Sequence, residues 1–272
     1  MDRRRFLDCA LAGAGTTGIW AALLAPAVAG VTTQRALFAA LPRPKPGDWV
    51  RFVMGSGVEY QKQVGAGSEV TEHGALMYYE TQVGTPGGSC NPNTMKRTYL
   101  RGSSFTSLFD RAPVLADVAN SGTTLTRWSD VGGGQTQSPT DARLQLLDAL
   151  YLYDERPLHV VASNGETLAL PASAPYGGSE NASRGKLRST ATTHLVAEFA
   201  PPYDARHKLA RIELWTSPAV PFGVAKYRAI AHGSEPFELR LYSFGTRFKT
   251  DLAMSLETIR SLTPDGTHIQ TT

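Results

Sequence analysis

The chain has 272 residues, with 27 Lys and Arg against 24 Asp and Glu, and a formal net charge of +3. Because this charge is small and no run of Lys or Arg occurs after residue 29, the composition disfavours a nucleic-acid-binding face. Charged residues make up only 19% of the chain, while it contains 26 Gly and 17 Pro. That balance favours many short strands joined by turns over a helical bundle.

The N-terminus has the order of segments found in a secretory signal. A cationic stretch is followed by an apolar run broken by glycines, and the run ends in a small-x-small cleavage site before Gly30. The run is too short and glycine-rich to make a good membrane span, which needs roughly 20 apolar residues. The residues that define the signal are Arg3, Arg4, Phe6 and Leu7, and those that define the cleavage site are Ala27 and Ala29.

The motif Arg3-Arg4-x-Phe6-Leu7 resembles the twin-arginine export signature, although Asp8 stands where Lys is common. The resemblance implies the twin-arginine translocase as a partner during export, folding before crossing, and a location in the periplasm or another extracytoplasmic compartment. We therefore expect a signal peptide at 1–29, an N-terminal helix and Pro-rich linker at 30–47, and a single β-rich domain at 48–272. The mature chain would have no transmembrane segment, and with one cysteine, Cys90, no internal disulfide.

The first half of the mature chain reads as a short helix followed by strands. The helix at 34–41 ends at prolines, which cannot continue it. Alternating segments at 49–54 and 58–64 predict a hairpin turning at Met54 to Gly57, and 75–83 predicts a third strand. Beyond a predicted loop from Gly84 to Met95, the expected strands are 97–100, 105–109, 114–118 and 123–128.

The second half contains one more helix and a meander. Ser138-Pro139 predicts a helix start, and one face of that helix would carry Leu144, Leu147, Leu150 and Tyr151. Asn164-Gly165 predicts a hairpin turn between 158–162 and 167–170. An antiparallel meander is predicted at 187–199, 208–215, 224–230 and 237–244. The tail at 252–259 fits either a helix or a strand.

No complete catalytic constellation is present in the sequence. The G-x-S-x-G elbow and the phosphate-binding glycine loops are missing, and the six histidines are far apart, so we predict neither a cofactor nor a metal. Cys90 is the one weak candidate nucleophile, because Lys96 and Arg97 nearby could lower the pKa of its thiol. The alternative is that Cys90 is a small, half-buried filler in a wide loop, and the sequence favours a protein that is not an enzyme.

Aromatic and methionine side chains recur along the early strands and near the end of the chain. They form core in one interpretation and line a cavity for an apolar ligand in the other. The cavity candidates are Trp49, Phe52, Met54, Met77, Tyr79 and Trp215.

The segment Glu213 to Lys226 contains Trp215-Thr216-Ser217-Pro218, a turn with Pro221 and Gly223, and the start of another strand. It resembles a pattern in exported proteins related to the lipoprotein carriers LolA and LolB. The resemblance implies a mainly β fold, an open half-barrel of curved antiparallel sheet with one to three short helices as a lid. We therefore expect a periplasmic protein that binds a lipid or other hydrophobic molecule on the concave face, with the helix near Leu144 to Tyr151 as a movable cover. The alternatives are an enzyme that uses Cys90 and a structural or adaptor protein of the cell envelope.

Overall fold

The structure is a computed structural model, and it describes residues 31–56, 58–71, 74–84, 90–100, 114–119, 125–128, 156–176, 186–201 and 209–249. No helix within these ranges is both long and apolar enough to cross a membrane. The predicted signal at 1–29, the helix after Ser138, the strand at 105–109 and the tail at 252–259 lie outside them.

The described residues form one open, curved, mainly antiparallel sheet that is not closed into a barrel. Its strands are β1 (Val31–Thr32), β2 (Trp49–Ser56), β3 (Val58–Thr71), β4 (Gly74–Gly84), β5 (Cys90–Leu100), β6 (Val114–Ala119), β7 (Leu125–Trp128), β8 (Leu158–Pro171), β9 (Ala174–Pro175), β10 (Leu187–Phe199), β11 (Leu209–Thr216), β12 (Val224–Ala231) and β13 (Phe237–Thr246). Helix α1 (Gln34–Ala39) precedes β2. This confirms the predicted fold class, a curved antiparallel sheet with little helix.

The strand order is β1-β8-β10-β11-β12-β13-β2-β3-β4-β5-β6-β7, and β9 pairs in parallel with β13. Most neighbours are consecutive along the chain, as in a meander. The exception that matters most is β13 against β2, where Leu241 lies opposite Phe52. This pairing joins the N-terminal strands to the C-terminal meander in a single sheet.

Two local predictions are wrong. Asn164 and Gly165 do not form a turn, because both lie inside β8, where they pair with His194 and Thr193 of β10. The long β10 strand offers a partner along the whole of β8, and this pairing overrides the local turn signal. The loop predicted from Gly84 to Met95 is also shorter than expected, since β5 begins at Cys90, opposite Gly84.

Candidate functional site

One face of the sheet carries a continuous apolar surface. Register places Phe52 opposite Leu241, Leu239 opposite Tyr227, and Tyr227 opposite Leu214. Directly opposite residues share a face, so these side chains form one row across four strands. The row belongs to a core cluster that extends from Leu158 in β8 to Leu100 in β5.

A contact across this face shows that the apolar side is the concave one. The rings of Tyr79, in β4, and Phe222, just before β12, have centroids 6.0 Å apart. Strands β12 and β4 are four places apart in the sheet, which would be about 19 Å in a flat arrangement. The sheet therefore curls around its apolar face.

Helix α1 covers part of this concave face. Thr33 caps it, accepting a hydrogen bond from Ala36 N at 3.2 Å, as expected of an N-cap. Leu37 and Phe38 are 5% and 1% exposed, and the Phe38 ring lies 6.0 Å from that of Tyr227. Gln34 Nε2 donates to Tyr227 Oη at 3.3 Å, whereas Gln34 Oε1 is buried with no hydrogen-bond partner. The cover is thus held mainly by apolar packing.

The turn between β11 and β12 completes the cover. Ser217 N donates to Gly223 O at 2.9 Å, which closes the turn. Phe222 has φ of 64°, a left-handed conformation that costs an aromatic residue about 1–2 kcal/mol. Gly223 has φ of +78°, and a Cβ there would lie 2.4 Å from Pro42 Cδ. The linker after α1 therefore packs directly on a strained turn whose Phe222 is 1% exposed.

The predicted cavity residues divide between the two faces. Phe52 and Tyr79 lie on the concave face and are almost fully buried, and Met77 packs against the same cluster. In the backbone register, Met54 is the partner of Leu239 in β13. Trp49 and Trp215 lie on the opposite face, because side chains alternate along each strand. Their partners on that face are Gly65 for Trp49 and Lys226 for Trp215. Trp49 packs edge-on against Tyr176, with centroids 5.7 Å apart.

The face opposite the cover holds a buried ionic cluster in β3, β4 and β5. Arg97, which is 0% exposed, donates through Nη2 to Glu80 Oε2 at 3.2 Å and through Nη1 to Glu69 Oε1 at 3.0 Å. Arg97 Nη1 also donates to Tyr99 Oη at 2.9 Å, and Tyr99 Oη donates to Glu69 Oε2. The guanidinium lies over the Tyr78 ring, 4.3 Å from its centroid.

The cluster perturbs the ionisation of its own members. Burial raises the pKa of Tyr78 to about 12, with Arg97 opposing and the two glutamates adding to the shift. Burial also raises the pKa of Tyr99, against the effect of Arg97. For Arg97, burial lowers the pKa, but Tyr99, Glu80 and Glu69 outweigh it and the net shift is upward. All three side chains therefore keep their neutral or cationic forms over the physiological range, which suits a structural role.

The ionic cluster uses Arg97, one of the two cations that the sequence places near Cys90. Arg97 is engaged by two carboxylates, so its charge is already compensated. The partners of Cys90 and Arg97 on β4 are Gly84 and Glu80, four residues or about 13 Å apart along the strand. The register therefore separates Cys90 from Arg97 along the sheet.

Trp215 stands at the centre of a second polar group, on the outer face. The His194 ring stacks on it at 4.0 Å and 7°, and Lys226 Nζ lies 4.9 Å from its centroid. Trp215 Nε1 donates to Glu166 Oε2 at 2.7 Å, and His194 Nδ1 lies 3.2 Å from the same oxygen. Both polar and aromatic surfaces of Trp215 are used within the chain, and no group of three metal-ligating side chains occurs among the described residues.

Comparison with known proteins adds only distant structural similarity. No family model matches the chain, and no curated protein matches its sequence. A hypothetical protein of Chlamydia trachomatis is similar over 83% of this chain and 98% of its own, with 9% identity and a TM-score of 0.41. A protein of Parabacteroides distasonis described provisionally as a lipoprotein covers 74% and 96%, with 9% identity and a TM-score of 0.30. A protein of Bacteroides fragilis described provisionally as exported, with a YmcC-like fold, covers 76% and 100%, with 10% identity and a TM-score of 0.30. At this level of similarity no functional residue is transferred.

Proposed function

We propose that this protein is an extracytoplasmic carrier that binds a lipid or another hydrophobic molecule on the concave face of its sheet. Helix α1 and the linker after it act as the displaceable cover, in place of the helix predicted near Leu144 to Tyr151, which lies outside the described residues. Binding would exchange the apolar contacts of α1 for those of an acyl chain.

The observation that carries this proposal is the way in which α1 is attached. A helix of six residues is too short to be stable alone, so its position depends on Leu37, Phe38 and the concave face. Its buried amide at Gln34 is only half satisfied, and leaving such a group unpaired costs about 1–3 kcal/mol. Release of α1 returns Gln34 to water, which offsets part of the lost apolar contact.

Extraction of the purified protein with organic solvent, followed by mass spectrometry, tests whether a lipid is bound. Binding of a fluorescent fatty acid tests whether the face accepts one from solution. The Phe38→Ser variant should bind the probe several-fold more tightly, because it loosens the cover. The proposal would be refuted by an extract without lipid together with no binding of the probe by the unaltered protein or by the Phe38→Ser variant.

The matched control is Leu76→Ser. Leu76 is also almost fully buried, with 0% exposure, but it lies on the opposite face, where it pairs with Glu69. This variant should bind the probe no better than the unaltered protein. If both variants gain affinity equally, the probe is sensing general loosening of the fold, and the cover has no specific role.

We also propose that the chain reaches its compartment by the twin-arginine route, because of the motif at Arg3 and Arg4. Replacing both by Lys should leave the protein in the cytoplasm, where cell fractionation and immunoblotting would detect it. Export that is undiminished in this double variant would exclude the route.

A further inference from the structure

Among the described residues, the outer edge of the sheet at β8 is unpaired over most of its length. Strand β1 pairs only with Leu158 and His159, and within the described residues no other strand lies on that side of β8. Four consecutive residues at 164–167 are exposed. A run of this kind presents unpaired N–H and C=O groups, which natural proteins normally protect with Lys, Pro or a bulge.

Protection is confined to the two ends of the strand, with a bulge near its start and Pro171 at its end. A register shift lies beside Val161, because Ala197 pairs with Val160 but Val196 pairs with Ala162. Beyond this bulge, the segment 162–168 contains neither Lys nor Pro, and no further irregularity interrupts its pairing with β10. This leaves about 24 Å of regular open edge.

Gly165 lies at the middle of that segment, and no described residue of the chain explains a glycine there. It is not among the glycines with positive φ, and a Cβ built on it would meet nothing within 4 Å. Glycine weakens a strand, and where no turn requires it, it often marks a close approach by another backbone. A backbone that approached Gly165 along this edge would come from outside the described residues, and a second copy of the chain could supply it.

The sequence around Gly165 is self-complementary when it is read antiparallel. In a symmetric antiparallel pair, the two-fold axis must pass through a residue, which then lies opposite its own copy. An axis between two residues would place neighbours opposite each other, and neighbouring side chains point to opposite faces of the sheet, whereas opposite residues share one face. An axis through Gly165 matches side chains of like character: Ala162 with Leu168, Ser163 with Thr167, and Asn164 with Glu166. An axis through Glu166 would instead place two carboxylates directly opposite each other, which is destabilising.

We propose that two copies of this chain pair antiparallel through β8, about a two-fold axis at Gly165, to form one sheet that continues across both. Glu166 accepts from the amide of Asn164 in the second copy while it retains the bond from Trp215 Nε1. Backbone hydrogen bonds supply the attraction, and the matched side chains fix the register. This interface is independent of the concave face and of the proposed ligand.

The test measures the mass of the purified protein by sedimentation velocity over a wide concentration range. The unaltered chain should show a reversible monomer–dimer equilibrium. Gly165→Lys and Gly165→Glu should each raise the dissociation constant about tenfold or more, because the introduced charges face their own copies across the axis. A Cβ at Gly165 meets nothing within 4 Å among the described residues, and the position is exposed, so both variants should fold.

A mixture of the Gly165→Lys and Gly165→Glu variants tests the position of the axis directly. Opposite charges then face each other only if the axis passes through Gly165, so the mixture should form dimers that neither variant forms alone. The control is Ser234→Lys, an equal charge change in the exposed β12–β13 turn, which should dimerise like the unaltered protein. An unaltered chain that stays monomeric, a Gly165→Lys variant that dimerises normally, or a mixture that remains monomeric would each overturn the proposal.

Discussion

Replacing Arg97 by Met should be among the most destabilising single changes in this protein. The change keeps a long apolar stem but removes the cation that faces Glu80, whose side chain is 0% exposed, and Glu69, whose side chain is 26% exposed. Removing one partner of a buried ion pair leaves the other charge buried and uncompensated, which lowers the free energy of unfolding by about 3–5 kcal/mol. That is a large share of the roughly 5–15 kcal/mol that stabilises a typical domain. The loss is measured as the change in free energy of unfolding in urea.

The control for this prediction is Arg211→Met. Arg211 Nη2 lies 2.9 Å from Glu213 Oε1, but its side chain is 41% exposed, so its removal should cost only about 0–1 kcal/mol. The double variant Arg97→Met/Glu80→Met should recover part of the loss, because it removes the stranded carboxylate as well. A single Arg97→Met variant that loses less than about 1 kcal/mol, or a double variant that is less stable than the single one, would refute the reasoning.

Three further predictions concern glycine, pH and capping. Gly65→Ala should destabilise by about 1–3 kcal/mol, since its Cβ would lie 2.3 Å from the Phe248 ring, whereas Gly165→Ala should be neutral or stabilising; equal effects in urea unfolding would contradict this. The pKa of Tyr78 is raised to about 12, so its contribution to stability is complete below pH 10 and is lost as pH rises toward 12, with a slope of about 1.4 kcal/mol per pH unit. Tyr78→Phe should reduce that slope, and an unchanged alkaline unfolding profile would argue against the shift. Thr33→Ala should cost about 1 kcal/mol by removing the cap on Ala36 N, and thermal unfolding with no change would show that α1 does not depend on its cap.

The sequence predicts the strands of the last third well, because their pairing is local. Strand β10 is found at Leu187–Phe199, as predicted, and β12 at Val224–Ala231 is one residue longer. Strands β11, β12 and β13 follow one another through short described turns that contain Pro and Gly, so periodicity and turn chemistry suffice there. The same local reasoning fails at Asn164-Gly165, where pairing with a distant strand decides the conformation.

The ionic cluster could not be assembled from sequence alone. Glu69, Glu80 and Arg97 lie on three different strands, and they meet only because register places Glu80 opposite Arg97 and Leu76 opposite Glu69. The available signal is a charged residue within a predicted strand, at Glu80 and at Arg97. The assignment of the cavity candidates to two faces of the sheet can be predicted in part from the sequence. Trp49 and Phe52 are an odd number of residues apart, so their side chains point to opposite faces of one strand.

The pairing of β13 with β2 has a consequence for the order of folding. Leu241 and Phe52, which lie opposite each other at the centre of the sheet, are separated by about 190 residues of chain. The hairpin of β2 and β3 can form early, but the seam that unites the two halves cannot form until β13 has left the ribosome. Such non-local closure is slow compared with local pairing. The twin-arginine route proposed above would therefore require nearly the whole polypeptide to be synthesised before there is a finished fold to export.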